Sequence, residues 1–314
     1  MNYINQLREG DRIQEIYLCK SMQRLKTKAN KSYISLTLQD KTGLLDGKIW
    51  NESNGIEEFD QMDYIEVTGT VNVFQGSHQL NITRVRKCQE GEYNPADYLP
   101  TTNKDIDDMY KQLLAYMDSV KQPYLRKLLH SFFIDDEEFA NIFKQHSAAK
   151  SVHHSFVGGL LEHTLNVANL CDFYSKQYPI INRDLLITAA IFHDIGKTKE
   201  LSSFPSNDYT DAGQLLGHIY MATELIANKI KEIPNFPEAL ALELQHCILA
   251  HHGELEYGSP KKPAIIEALA LNFADNTDAK IQIMIEALEE TVDSTEWLGY
   301  NRFMESNIKK TTNI

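Results

Sequence analysis

The chain has 314 residues, 42% hydrophobic and 24% charged, with a formal net charge of −13. That length suits two domains better than one, and no apolar run approaches the ~20 residues needed to cross a bilayer. The charge is segregated, because residues 1–90 hold 12 basic and 12 acidic side chains and the whole acidic excess lies beyond them. The opening stretch MNYINQLREGDR alternates charges without an apolar core, so it reads as neither signal nor transit peptide, and a cytoplasmic location is expected. Four widely spaced cysteines, Cys19, Cys88, Cys171 and Cys247, form no CxxC pair and read as buried reduced thiols.

Strand signals fill residues 12 to about 88. Tyr33–Leu38 alternates apolar with polar, Asp40–Gly43 supplies a turn, and Leu45–Trp50 resumes the alternation. One helical turn is expected near Ile56–Phe59. Tyr64–Phe74 then makes a long strand, bent at Gly69, and after a turn at 75–77 a last strand covers Gln79–Cys88, with Leu80, Ile82 and Val85 inward. Five strands with a short helix between the third and fourth is the plan of an OB-fold barrel. A run of cations without acids, Lys20, Arg24, Lys26, Lys28 and Lys31, supplies a local basic patch, although most charge runs are simply solvated faces. Such barrels hold single strands through a basic groove and aromatic platforms. Tyr33, Trp50, Phe74 and His78 are the candidate platforms, with core packing as the alternative for each.

Residues 91–103 carry Gly, Asn and two prolines and read as a linker. From Asp105 the apolar period becomes 3.6: Met109, Leu113, Leu114 and Met117 share one face, Leu125, Leu128 and Leu129 another. Helices are expected, with breaks, to about Met304. The expected architecture is an N-terminal five-stranded OB-fold barrel over 1–90, a linker over 91–103 and an all-α domain over 104–314.

Most of the 11 histidines fall after residue 129. His163 follows Gly-Gly-Leu-Leu-Glu, His193-Asp194 follows Ala-Ala-Ile-Phe, His218 follows Leu-Leu-Gly, His251-His252 ends an apolar helix, and Asp275 follows Leu-Asn-Phe-Ala. A charged group inside an apolar helix is costly unless it is paired or holds a metal. Imidazole with carboxylate suits Mn²⁺, Fe²⁺, Co²⁺, Ni²⁺ or Zn²⁺ rather than Ca²⁺. An adjacent His-Asp pair can serve two ions, about 3.5–4 Å apart, that clamp phosphoryl oxygens. A lone histidine is more often a satisfied core residue, which is the reading for His130, His146 and His246.

The ordered set His163, His193-Asp194, His218, His251/His252 and Asp275 resembles the HD-domain metal phosphohydrolases over roughly residues 145–290. With the barrel in front, the chain resembles the YhaM family of bacterial 3′-to-5′ exoribonucleases. That resemblance implies Mn²⁺-stimulated removal of nucleoside 5′-monophosphates from single-stranded RNA, with single-stranded DNA as a further substrate and a homo-oligomer as the assembly. Carried over by position, His163, His193, Asp194 and Asp275 would hold one ion, and Asp194, His218 and His251 the other. His252 would be a ligand or a phosphate contact. Lys197 would meet a phosphate oxygen, Glu200 would orient Lys197 or a ligand histidine, and His154 would reach substrate. Two rival readings remain. One is a phosphodiesterase of nucleotides or cyclic dinucleotides, disfavoured because the Gly-Tyr-Pro motif of such relatives is missing after the His doublet. The other is a single-strand-binding protein with a non-catalytic helical domain.

Overall fold

Alternation of apolar and polar residues gives five strands, β1 (Arg12–Lys26), β2 (Ser32–Asp40), β3 (Gly43–Ile49), β4 (Tyr64–Phe74) and β5 (Ser77–Lys87). The computed structural model describes residues 2–27, 30–50, 55–74, 76–150, 154–289 and 297–311. Its contacts divide into two units, Met1–Thr101 with Phe204–Ser206, and Thr102–Ser203 with Asn207–Ile314.

In the first unit the strands close in the order β1-β2-β3-β5-β4, the connectivity of an OB-fold barrel. One long strand makes the closure possible. The first half of β1 pairs with β4, from Arg12 opposite Thr70 to Leu18 opposite Tyr64, and its second half pairs with β2. A bulge at Lys20, between the Cys19–Leu38 and Ser21–Thr37 pairs, marks the change of partner. Tyr17, Leu36, Leu38, Val67, Leu80, Ile82 and Val85 fill the interior. The step from Ile82 to Val85 breaks strict alternation because Thr83 is the extra residue of a second bulge, opposite the Thr68–Gly69 step. Gly69 itself is required by close approach, since a Cβ there would collide with the Asn81 carbonyl.

Two expectations for this region need correction. Residues 56–59 form no helical turn; Ile56 is extended and bridges Val85, so side-chain burial against the barrel wins over local helical pattern. The segment read as a linker is packed on the barrel: Tyr93 and Tyr98 stand against Tyr64 at ring-centroid distances of 3.8 and 5.2 Å, Leu99 is buried, and Gln39 donates to the Tyr98 carbonyl at 3.0 Å.

The second unit contains α1 (Ile106–Ser119), α2 (Pro123–Phe133), α3 (Glu137–Gln145), α4 (Gly159–Gln177), α5 (Arg183–Phe192), α6 (Lys197–Glu200), α7 (Asp211–Leu216), α8 (His218–Lys231), α9 (Glu238–Ala250) and α10 (Ile266–Glu289). Side chains at the starts supply caps: Asp105, Gln122, Asp136, Asn182 and Thr210 accept from backbone N–H groups of α1, α2, α3, α5 and α7. Residues Leu185–Phe192 of α5 are buried all round, which makes α5 the central helix, packed on α4, α9 and α10. The helices stop earlier than the expected Met304. A short hairpin, β6 (Trp297–Asn301) with β7 (Ser306–Lys309), follows α10. No described helix is long and apolar enough to cross a membrane. All four cysteines are free and buried.

Replacing Gly69 by Ala should destabilise the barrel by about 1–3 kcal/mol through forced displacement of Asn81. Gly43→Ala, where a Cβ meets only an Ile4 methyl at 3.8 Å, is the control. Thermal melting of the two variants beside the wild type checks this, with a lowered midpoint expected for Gly69→Ala alone.

Candidate metal centre

Two helices of the second unit end on a histidine, and both endings work the same way. The α5 helix stops at His193, whose Nδ1 lies 2.8 Å from the Ala190 carbonyl. The α9 helix stops at His251, whose Nδ1 lies 2.7 Å from the Ile248 carbonyl. A carbonyl only accepts, so Nδ1 carries the proton in each ring and satisfies one of the carbonyls a helix end leaves unpaired. Each Nε2 is thereby turned toward Asp194.

The other imidazoles are fixed by equivalent means. His218 begins α8 and places Nδ1 3.0 Å from Glu200 Oε1, which also accepts from the His218 backbone N–H at 3.0 Å. His163 on α4 places Nδ1 2.7 Å from Asp278 Oδ2 of α10. His252 donates from Nδ1 to the Tyr257 carbonyl at 2.8 Å. The turn between α5 and α6 can lie this close to α8 because Gly196 has no Cβ, which would strike the His218 carbonyl.

Asp194 stands between these rings at 2% exposure. Its Oδ2 is 3.3 Å from His193 Nε2, 3.5 Å from His163 Nε2 and 2.6 Å from Lys197 Nζ. Its Oδ1 is 3.5 Å from His218 Nε2 and 3.8 Å from His251 Nε2. Asp275 of α10 joins the first side, with Oδ1 3.1 Å from His163 Nε2. The two oxygens of one carboxylate thus face two histidine sets, and the groupings His163–His193–Asp275 and His218–His251–His252 are each compact enough to surround a cation.

Electrostatics follow from this crowding. Burial alone would raise the Asp194 pKa, yet Lys197 and His193 hold it well below the usual carboxylate range. Burial would lower the Lys197 pKa, but attraction and hydrogen bonding to Asp194 keep it raised. His163 is desolvated too, and the Asp275 and Asp278 carboxylates nonetheless push it up to about 10. Burial, then repulsion from His252 and His193, drives His251 far down; burial, then His218, lowers His252. Neutral rings keep a free lone pair, the form that ligates metal.

Chemically, the second side fits a cation and little else. Among the described residues, Asp194 Oδ1, His218 Nε2 and His251 Nε2 are buried without a hydrogen-bond partner. With Nδ1 of each ring engaged elsewhere, both Nε2 atoms face a carboxylate oxygen. Such an arrangement suits a positive ion between them.

Residues 160–280 match the HD domain family. Over 283 residues the chain is 36% identical to the 3′-5′ exoribonuclease YhaM of Bacillus subtilis, covering 89% of this chain and 88% of that protein. The chain belongs to the YhaM exoribonuclease family. The YhaM proteins of Bacillus velezensis and Oceanobacillus iheyensis are 35% and 33% identical, again with 88% of each protein covered.

Set beside the sequence-based expectations, the six candidate ligands come together, with Lys197 and His252 beside them. Of the partners expected for Glu200, its carboxylate meets a candidate ligand histidine, His218. His154 is corrected: it is wholly buried, with Nε2 3.0 Å from Asp278 Oδ2, and offers substrate no surface. Asp278 was missed, although its position one turn after Asp275 on α10 was a usable signal. His246 accepts from the Ala264 backbone N–H at 2.9 Å, a structural role.

On the barrel, Lys20, Arg24 and Lys26 are exposed along β1, and Lys28 lies outside the described residues. Tyr33 and Trp50 stack on one another at 4.9 Å, and Trp50 Nε1 donates to Asn81. Phe74, 59% exposed, sits apart from them at the β4–β5 hairpin, paired with Ser77.

Glu200→Gln leaves the shape of the side chain but removes the charge behind His218. Mn²⁺ affinity, followed by titration calorimetry, should fall by about 10–100-fold.

Proposed function

We propose that the chain is a metal-dependent hydrolase that shortens single-stranded RNA from its 3′ end and releases nucleoside 5′-monophosphates. The observation that carries this reading is the division of Asp194 between two histidine sets, within a family of 3′-5′ exoribonucleases. In it, His163, His193, Asp275 and Asp194 would hold one divalent ion, and Asp194, His218, His251 and His252 would hold the other. The mixed imidazole and carboxylate set is suited to Mn²⁺. Ions so held would lower the pKa of water toward ~7 and neutralise charge on the phosphoryl oxygens.

The chain's own groups set the geometry around that chemistry. A cavity of about 700 Å³ opens over the centre, lined by Lys197, His252, Lys150, Tyr209, Tyr257 and Asn276 among others. It has room for the terminal nucleotide and its scissile phosphate. Lys197, already paired with Asp194, faces the cavity as the permanent cation for a phosphate oxygen. Tyr257 and Tyr209, 71% and 44% exposed, offer faces on which a base can stack without regard to sequence. Water adds to phosphorus while the bond to the 3′-oxygen of the penultimate nucleotide breaks. The phosphate stays on the departing nucleotide, and the proton lost by water balances the one gained by the new 3′-hydroxyl.

The barrel supplies the second half of the reading. Its exposed Lys20, Arg24 and Lys26 would bind the strand's backbone, and Tyr33, Trp50 and Phe74 its bases.

With 5′-end-labelled single-stranded RNA and Mn²⁺, a ladder shortening stepwise from the 3′ end is expected, abolished by chelator and by Asp194→Asn. RNA that stays whole while bound would overturn the reading. Tyr257→Ala should raise KM by about tenfold, the equivalent of one lost stacking contact at ~1–3 kcal/mol, with kcat much less affected.

A further inference from the structure

The polar stripe of α10 does more than deliver Asp275. Asp278 follows one turn later, and its Oδ2 accepts two hydrogen bonds: from His163 Nδ1 at 2.7 Å and from His154 Nε2 at 3.0 Å. All three groups are buried. Two turns further along, Glu286 Oε1 accepts from the backbone N–H of His154 at 3.3 Å and from Gln282 at 3.1 Å. These contacts fix His154 at a φ of +59°, a left-handed conformation uncommon outside glycine that histidine, asparagine and aspartate adopt more readily than other residues. Its carbonyl is held as well, by the Ala148 N–H at 3.0 Å. A completely buried imidazole aimed at the carboxylate behind His163 is placed to act on that carboxylate.

We propose that Asp278 and His154 are positioning residues for the metal centre, a two-step brace that fixes which nitrogen of His163 faces the ion. This rests on the metal-centre reading above. Asp278 accepts from His163 Nδ1, which leaves Nε2, the nitrogen next to Asp194 and Asp275, as the atom that would face an ion. His154 in turn holds the carboxylate. An unbraced Asp278 could rotate about its χ2 axis and release His163, whereas donors from two sides at one oxygen leave it a single orientation. The three groups are themselves close enough to invite a cation. Separations of 2.7 and 3.0 Å between them are those of direct hydrogen bonds, which makes the cluster a support rather than a third site.

The arrangement parallels Glu200 behind His218, but with one added member. Second partners of this kind commonly change metal affinity by about 10–100-fold when removed.

Calorimetric titration of the full chain with Mn²⁺ alone, without RNA, tests the brace. Asp278→Asn keeps the side-chain shape. His154→Asn removes the imidazole with a residue that tolerates the left-handed backbone. Each variant should bind Mn²⁺ about 10–100-fold more weakly than the wild type, with a chelator-treated melting temperature close to wild type and with turnover on labelled RNA recovering as Mn²⁺ is raised. The double variant should lose little beyond Asp278→Asn, because His154 acts through Asp278. Unchanged Mn²⁺ affinity in both single variants, or a fall in melting temperature as their sole effect, would overturn the proposal. A wild type that binds no Mn²⁺ would instead overturn the metal reading on which it rests.

Discussion

An ionised carboxylate at 2% exposure, such as Asp194, is too costly to keep in a protein interior without compensation close at hand. The helical unit supplies it from Lys197 one turn on, with His193 immediately before and His163 from α4 alongside, while His218 from the start of α8 and His251 from the end of α9 face the other oxygen. These contributions come from five separate elements, so the packing of α4, α5, α8 and α9 and the position of one carboxylate are the same constraint seen at two scales. The apolar girth of α5 fits this account. A helix buried on all faces can end only in the interior, and the interior is where its terminal His-Asp pair has to be.

Proton placement gives the centre its second level of order. An imidazole has two nitrogens, and a site built from imidazoles is useful only if the correct one faces inward. Backbone carbonyls settle this for His193, His251 and His252, while carboxylates settle it for His163 and His218. The carbonyl solution is tied to helix geometry and cannot drift. The carboxylate solution adds negative charge behind the ring and strengthens it as a donor to a cation.

Much of this was legible in the residue order. Histidines and aspartates set into otherwise apolar helices stand out because nothing else in a core tolerates them, and the 3.6 period placed Met109, Leu113 and Met117 on the buried face they occupy. What escaped was of a different kind. Asp278 lies in a mixed helix where a carboxylate ordinarily meets water, and only the tertiary approach of His154 and of His163 on α4 gives it partners. His154 depends on a backbone conformation that no periodicity announces. Residues 93–99 have the composition of a connector, yet Tyr93 stacked on Tyr64 and Tyr98 set edge-on to it hold them to the barrel. The Ile56 bridge and the β6–β7 hairpin are too short to carry an alternating signal.

The sharing of β1 between two neighbours bears on how the first unit forms. Its second half meets β2 through a short connection, a local event that needs little chain. Its first half waits for β4, with Arg12 opposite Thr70 and Leu18 opposite Tyr64. Closing those long loops costs entropy before any burial offsets it. During synthesis, therefore, the N-terminal residues would remain an unpaired edge until β4 has left the ribosome.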